Sequence, residues 1–150
     1  MLLSPKAMRT LFLLFALVTG CQHPAQAPLD QHRALWKSKA IADYRYDFQW
    51  HCFCADTQKV QLTVSKAAIS GLFDLEEKKS IDLANGSKWR TLDGLFDLLQ
   101  DAIQRNADSM AVTYDPDDGH PITVSIDYLK NAVDEEMGFT AGKIETVWAN

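Results

Sequence analysis

The sequence predicts an α+β domain: an antiparallel sheet of about six strands with two helices packed on one face, in the order αβββαβββ. Three observations lead there. Residues 60–65 (VQLTVS), 110–114 (MAVTY) and 122–128 (ITVSIDY) alternate apolar and polar side chains. Such alternation marks strands with one covered face and one wetter face, whereas parallel strands buried on both faces read as continuous apolar runs. Residues 91–107 (TLDGLFDLLQDAIQRNA) place Leu92, Leu95, Phe96, Leu99 and Ile103 on one helical face. Finally, strand patterns come in two runs of three, each preceded by one helical stretch, which suits segregated helices better than a βαβ repeat.

Taken from the N-terminus, residues 1–20 read as a signal peptide. Lys6 and Arg9 form a short basic region, and Leu11 to Val18 is an apolar run. A spanning helix needs about 20 apolar residues, so this run is too short to cross a bilayer. Its end, Val18-Thr19-Gly20-Cys21, resembles a bacterial lipobox. That resemblance implies cleavage before Cys21, a diacylglyceryl thioether on its sulfur and an acyl group such as palmitate on its amine. Several acyl chains together make an effectively permanent lipid anchor. Gln22 stands where inner-membrane retention would place Asp, so the expected address is the outer membrane, facing the periplasm. Residues 21–28 then form the lipidated tether, and 29–150 a single α+β domain.

From Asp30 the sequence DQHRALWKSKAIA reads as a short helix with Asp30 as its N-cap. A strand follows. Tyr44, Tyr46, Phe48, Trp50, Cys52 and Cys54 share one parity, and Arg45, Asp47, Gln49, His51 and Phe53 the other. In an unbroken strand both thiols would lie on the buried aromatic face, with His51 opposite, which argues against a His-Cys-Cys metal clamp. Residues i and i+2 of a strand sit about 6.6 Å apart, near the limit for a disulfide, so a bend is expected around Phe53. Closing so short a loop stabilises by only about 1.6 kcal/mol. With Cys21 acylated, Cys52 and Cys54 are the remaining thiols, and an oxidising periplasm pushes them to pair. A local disulfide is therefore expected ahead of two alternatives, a redox pair or a Cu(I) site made by Cys52 and Cys54 with His120 as a remote third ligand.

Weaker strands lie near residues 68–75 and 143–148. In the 91–107 helix, Asp93, Asp97 and Asp101 line a second face, read as solvated. YDPDDGHP, residues 114–121, has Asp115 and Asp117 in the spacing of a calcium loop, but Gly119 occupies the fifth position and no glutamate closes the set. A hairpin turn is the expected role. VDEEMG, residues 133–138, is a second acidic knot without a partner base. His23 and His32 lie in or beside the tether and are poor catalytic candidates. The sequence has no nucleophile elbow, zinc-protease or phosphate-loop pattern, so no catalytic residue and no cofactor is expected.

Across nearly the whole mature domain, Tyr44-x-Tyr46, Cys52-Phe53-Cys54, TLDGLFDLLQDAI, Tyr114-Asp115-Pro116 with Gly119 and Pro121, SIDY at 125–128 and Asp134-Glu135-Glu136 resemble an uncharacterised family of bacterial secreted proteins and lipoproteins, the domain of unknown function six-one-seven-four. His120 departs from that pattern, where an aromatic such as Tyr is expected. The resemblance implies a single α+β domain and assigns no catalytic residue.

Charge narrows the partners. The chain has 15 basic and 20 acidic side chains, a formal net of −5. Removing residues 1–20 takes Lys6 and Arg9 and no acid, leaving 13 basic side chains and a net of −7. Nucleic acid is excluded as a partner, because its binding needs clustered Lys and Arg. The expected partners are the membrane, through Cys21, and another envelope protein.

Overall fold

The computed structural model describes residues 23–54, 57–129 and 136–147. Residues 1–20, expected to be a signal peptide, Cys21, and the acidic pair Asp134 and Glu135 lie outside the described residues. Helix α1 (Gln26–Lys39) leads into strands β1 (Tyr44–Cys52), β2 (Val60–Ser65), β3 (Ala68–Asp74) and β4 (Lys79–Ser80). A 3-10 turn (Leu83–Lys88) and helix α2 (Leu92–Gln104) follow, then β5 (Ser109–Tyr114), β6 (Pro121–Asp127), β7 (Glu136–Ala141) and β8 (Glu145–Thr146). The sheet runs β4-β3-β2-β1-β7-β6-β5, with β8 also paired to β1, and every ladder is antiparallel. Two helices on an antiparallel sheet are the architecture the alternation predicts.

The sheet has eight strands where the sequence predicts about six, the short β4 (Lys79–Ser80) being one of the two additions. Two further points differ from the sequence reading. Helix α1 starts at Gln26, ahead of Asp30, and its N-cap Ala25 makes no side-chain capping bond. Residues 26–28 are thus its first turn, held from outside: the Gln26 side chain exchanges hydrogen bonds with Gln100 of α2 at 3.0 Å. Strand β7 was not expected at all, although it sits between β1 and β6 near the middle of the sheet. Its burial is irregular, with Gly138 and Phe139 both buried, so no alternation betrays it.

Strand β1 supplies the spine of the core. Tyr44, Tyr46, Phe48 and Trp50 point inward as their shared parity predicts, with neighbouring ring centroids 6.0, 6.2 and 4.9 Å apart. Against them lies the apolar face of α2, where Leu92, Leu95, Phe96 and Leu99 are fully buried. Helix α1 joins on the same side, Trp36 meeting Tyr44 edge-on at 5.5 Å. The aspartate stripe of α2 is only partly solvated in purpose. Asp97 pairs with Arg33 and Asp93 with Lys37 (2.7 Å), so two of its three members clamp α2 to α1. These pairs are exposed and contribute little each.

The buried tyrosines make the fold sensitive to alkali. Burial pushes the Tyr114 hydroxyl up to about 12, and raises Tyr44 and Tyr46 further above the usual tyrosine value. Tyr44 accepts from the Leu92 backbone N–H at 3.0 Å, and Tyr46 donates to the Arg90 carbonyl. Unfolded tyrosine ionises near pH 10 while these stay protonated, so the unfolded state binds fewer protons above that pH. Stability is expected to be level up to about pH 9 and to fall steadily above about pH 10. Urea titrations across that range check it; a Tyr114→Phe variant should show a shallower fall.

Candidate functional site

Strand β1 ends at Cys52, as the predicted bend requires, and the chain turns outward through Phe53 and Cys54. The Cα atoms of the two cysteines are 5.2 Å apart with their sulfurs at bonding distance. The turn corrects one expectation. Cys52 is half-buried and packs on the core, but Cys54 is exposed, so the pair does not share a buried face. The strand stops at Cys52, two residues before Cys54, so its periodicity does not carry Cys54 inward. Phe53 is pushed into solvent, 79% exposed. His51 points away from the core, its Nε2 3.4 Å from the Thr140 hydroxyl.

Beneath this turn lies a cavity of about 320 Å³, walled by Trp50, Leu98, Met137, Cys52 and Cys54, with Lys88 and Arg90 beside them. Trp50 and its neighbour Trp89 both meet Phe48 edge-on, and each indole N–H lacks an acceptor among the described residues. On the other side of Cys52, a groove of about 480 Å³ runs over the sheet between His51, Thr123, Ser125 and Glu136. The structure thus brings one aromatic, three sulfurs and two cations to one concavity. Sequence reasoning missed Lys88, Arg90 and Leu98, which reach it from the segment before α2 and from α2 itself.

His120 is not part of that group. It is wholly buried in the β5–β6 turn, its Nδ1 2.5 Å from Asp118 Oδ1 and its Nε2 3.1 Å from the Gly142 carbonyl. Gly142 in turn bonds the Asp47 carbonyl, five residues before Cys52. At about 3.3 Å per strand residue that is roughly 17 Å along β1, so His120 cannot join the thiols on one ion. Asp115, Asp118 and His120 do gather three donor atoms within 4.8 Å, but the turn already occupies them. Asp115 Oδ1 accepts from the backbone N–H groups of Asp117 (2.8 Å) and Asp118 (3.3 Å), and Asp118 Oδ1 from that of His120 (2.9 Å). These are side-chain-to-backbone bonds that build a turn. Asp117 contributes only its backbone. His32 lies in α1, its ring stacked on Tyr114 at 4.0 Å. Of the acidic knot, only Glu136 to Gly138 are described, as the start of β7.

Residues 28–146 match the family of unknown function DUF6174. The chain belongs to that family. The matched span opens inside α1 and closes at the end of β8, so the DUF6174 domain comprises the whole sheet, α2 and all but the first two residues of α1, with the cysteine turn and the β5–β6 turn inside it. No curated protein and no solved structure matches the chain. The chemistry of the DUF6174 domain therefore has to be read from its own surfaces.

Proposed function

We propose that the chain is an outer-membrane lipoprotein, anchored through Cys21 and facing the periplasm, whose DUF6174 domain is a non-catalytic binding module. The observation that carries the binding role is the apolar concavity under the cysteine turn. Its size falls within the range of ligand or side-chain pockets. Its walls are apolar and aromatic, and the polar groups nearby are two cations rather than a nucleophile with a base. The disulfide of Cys52 and Cys54 stiffens the rim of that concavity and is of small value to global stability.

The exposure of Cys54 favours one second reading, a thiol-based role, because reactive sulfurs need access. Intact mass of the purified chain separates the two and tests the anchor. A chain beginning at Cys21 and carrying acyl mass is expected, with the remaining cysteines resistant to alkylation across a glutathione series. A reduction potential below about −300 mV marks a structural bond. Ready alkylation, or copper bound one per chain, would instead make the thiols the working part. An unacylated chain would end the lipoprotein reading.

A further inference from the structure

Three features meet at one end of the sheet. Strand β1 finishes there at Cys52, β6 finishes at Asp127, β7 begins at Glu136 and β5 begins at Ser109. The register places Ser109 opposite Asp127, Asp127 opposite Glu136, and Met137 opposite Cys52. Three strand spacings, about 15 Å, therefore separate the first residue of β5 from the cysteine turn. His23 and Pro24 line a groove that runs along β5 from Asp108 to Tyr114; His32, nine residues after His23, stacks on Tyr114, so the His23 end of this segment lies toward Ser109. The described chain thus enters the domain at the same end where the cysteine turn leaves it. Among the described residues the two most exposed large apolar side chains, Phe53 (79%) and Leu129 (58%), lie at this end as well. Leu129 follows β6 by two residues, its backbone N–H bound to Asp127 Oδ1 at 3.0 Å.

We propose that this end is a membrane-docking surface, with Phe53 and Leu129 entering the bilayer that holds the Cys21 acyl chains. The proposal rests on the anchor reading above and adds to it an orientation and two contact residues. Cys21 precedes His23 by two residues, a length of chain that spans at most about 7 Å. An acyl chain on Cys21 would bring the bilayer surface to this end of the sheet before any other. Phe53 is also the sole residue inside the Cys52–Cys54 ring. The ring sets its backbone at the strand end and leaves the aromatic outside the core. That gives so short a ring a purpose that stability alone does not. Once residues 1–20 are removed the formal net charge is −7, so the anchored chain as a whole gains nothing from charge at an anionic surface, and the docking rests on apolar contact.

Acylated full chains carrying Phe53→Trp or Asp117→Trp, placed in phosphatidylcholine vesicles with brominated acyl chains, test this directly. Asp117 is exposed in the β5–β6 turn, at the opposite end of the sheet. The Phe53→Trp chain should gain a blue-shifted emission that the bromine quenches, at least roughly twofold more strongly than emission from the Asp117→Trp chain, as expected for a ring some 5–10 Å into the interface. Equal quenching of the two overturns the proposal and leaves the apolar end to a protein partner. Intact mass reports acylation separately, so a failed anchor and a failed docking surface are told apart. In the Cys21→Ala chain, Phe53→Ser with Leu129→Ser should lower partitioning onto the same vesicles about tenfold.

Discussion

Phe48→Ala is expected to destabilise the domain by about 3–5 kcal/mol, enough to lower its melting temperature by roughly 10–20 °C. The ring is 1% exposed at the centre of β1 and meets Trp50, Trp89, Phe139 and Tyr46 at centroid distances between 4.9 and 6.2 Å. Truncation removes the transfer free energy of the ring and leaves a void that four stiff neighbours from three separate segments cannot collapse into. Trp50 would lose one of its two edge-on partners and keep Phe139, so the cavity beneath the cysteine turn should loosen in the same variant. Thermal and urea denaturation followed by tryptophan fluorescence measure both effects. A loss below about 1 kcal/mol would mean that the aromatic row is not the core it is taken to be here.

The second large effect is expected at Gly119, at about 2–4 kcal/mol for Gly119→Ala. Gly119 has φ +84°, a conformation that costs an L-residue about 1–2 kcal/mol. An added Cβ would also stand 2.5 Å from the His32 carbonyl oxygen and 3.1 Å from Leu35 Cβ, both on α1. The turn and the helix would have to part, taking the His32–Tyr114 stack with them. Asp117→Ala in the same turn is the control. That side chain is exposed and makes no bond among the described residues, so its change should stay within about 0.5 kcal/mol.

Much of this was legible from residue types alone. The turn role of residues 114–121 followed from Asp115, Pro116 and Gly119, since turn-building depends on local side-chain-to-backbone bonds. The inward row from Tyr44 to Trp50 followed from parity. The concavity under the cysteine turn was only half visible. Trp50 and Cys52 belong to a readable strand, but Lys88, Arg90 and Leu98 approach from residues some 35–45 positions away. No spacing rule links segments so far apart. The aspartates of α2 lie on a solvated face as the helical spacing predicts, but their partners Arg33 and Lys37 are not legible in it, because these become neighbours only once α1 has docked.

Local periodicity was enough for the α+β class, the apolar face of α2 and the inward faces of β1, β2 and β6, because each is a repeat of one element's own geometry. Pairing across the sheet decided the rest. Strand β7 exists because β1 and β6 each present an open ladder to it, and Gly138 is tolerated there because any side chain would strike the Val124 carbonyl oxygen. The start of α1 is set by Gln100 from across the helix pair rather than by a capping residue. The exposure of Cys54 and Phe53 is set by where β1 leaves the sheet: Cys52 pairs with Met137, and after it the chain turns outward. Each of these depends on groups brought together by the closed fold, and their free energy is not written in the neighbouring residues.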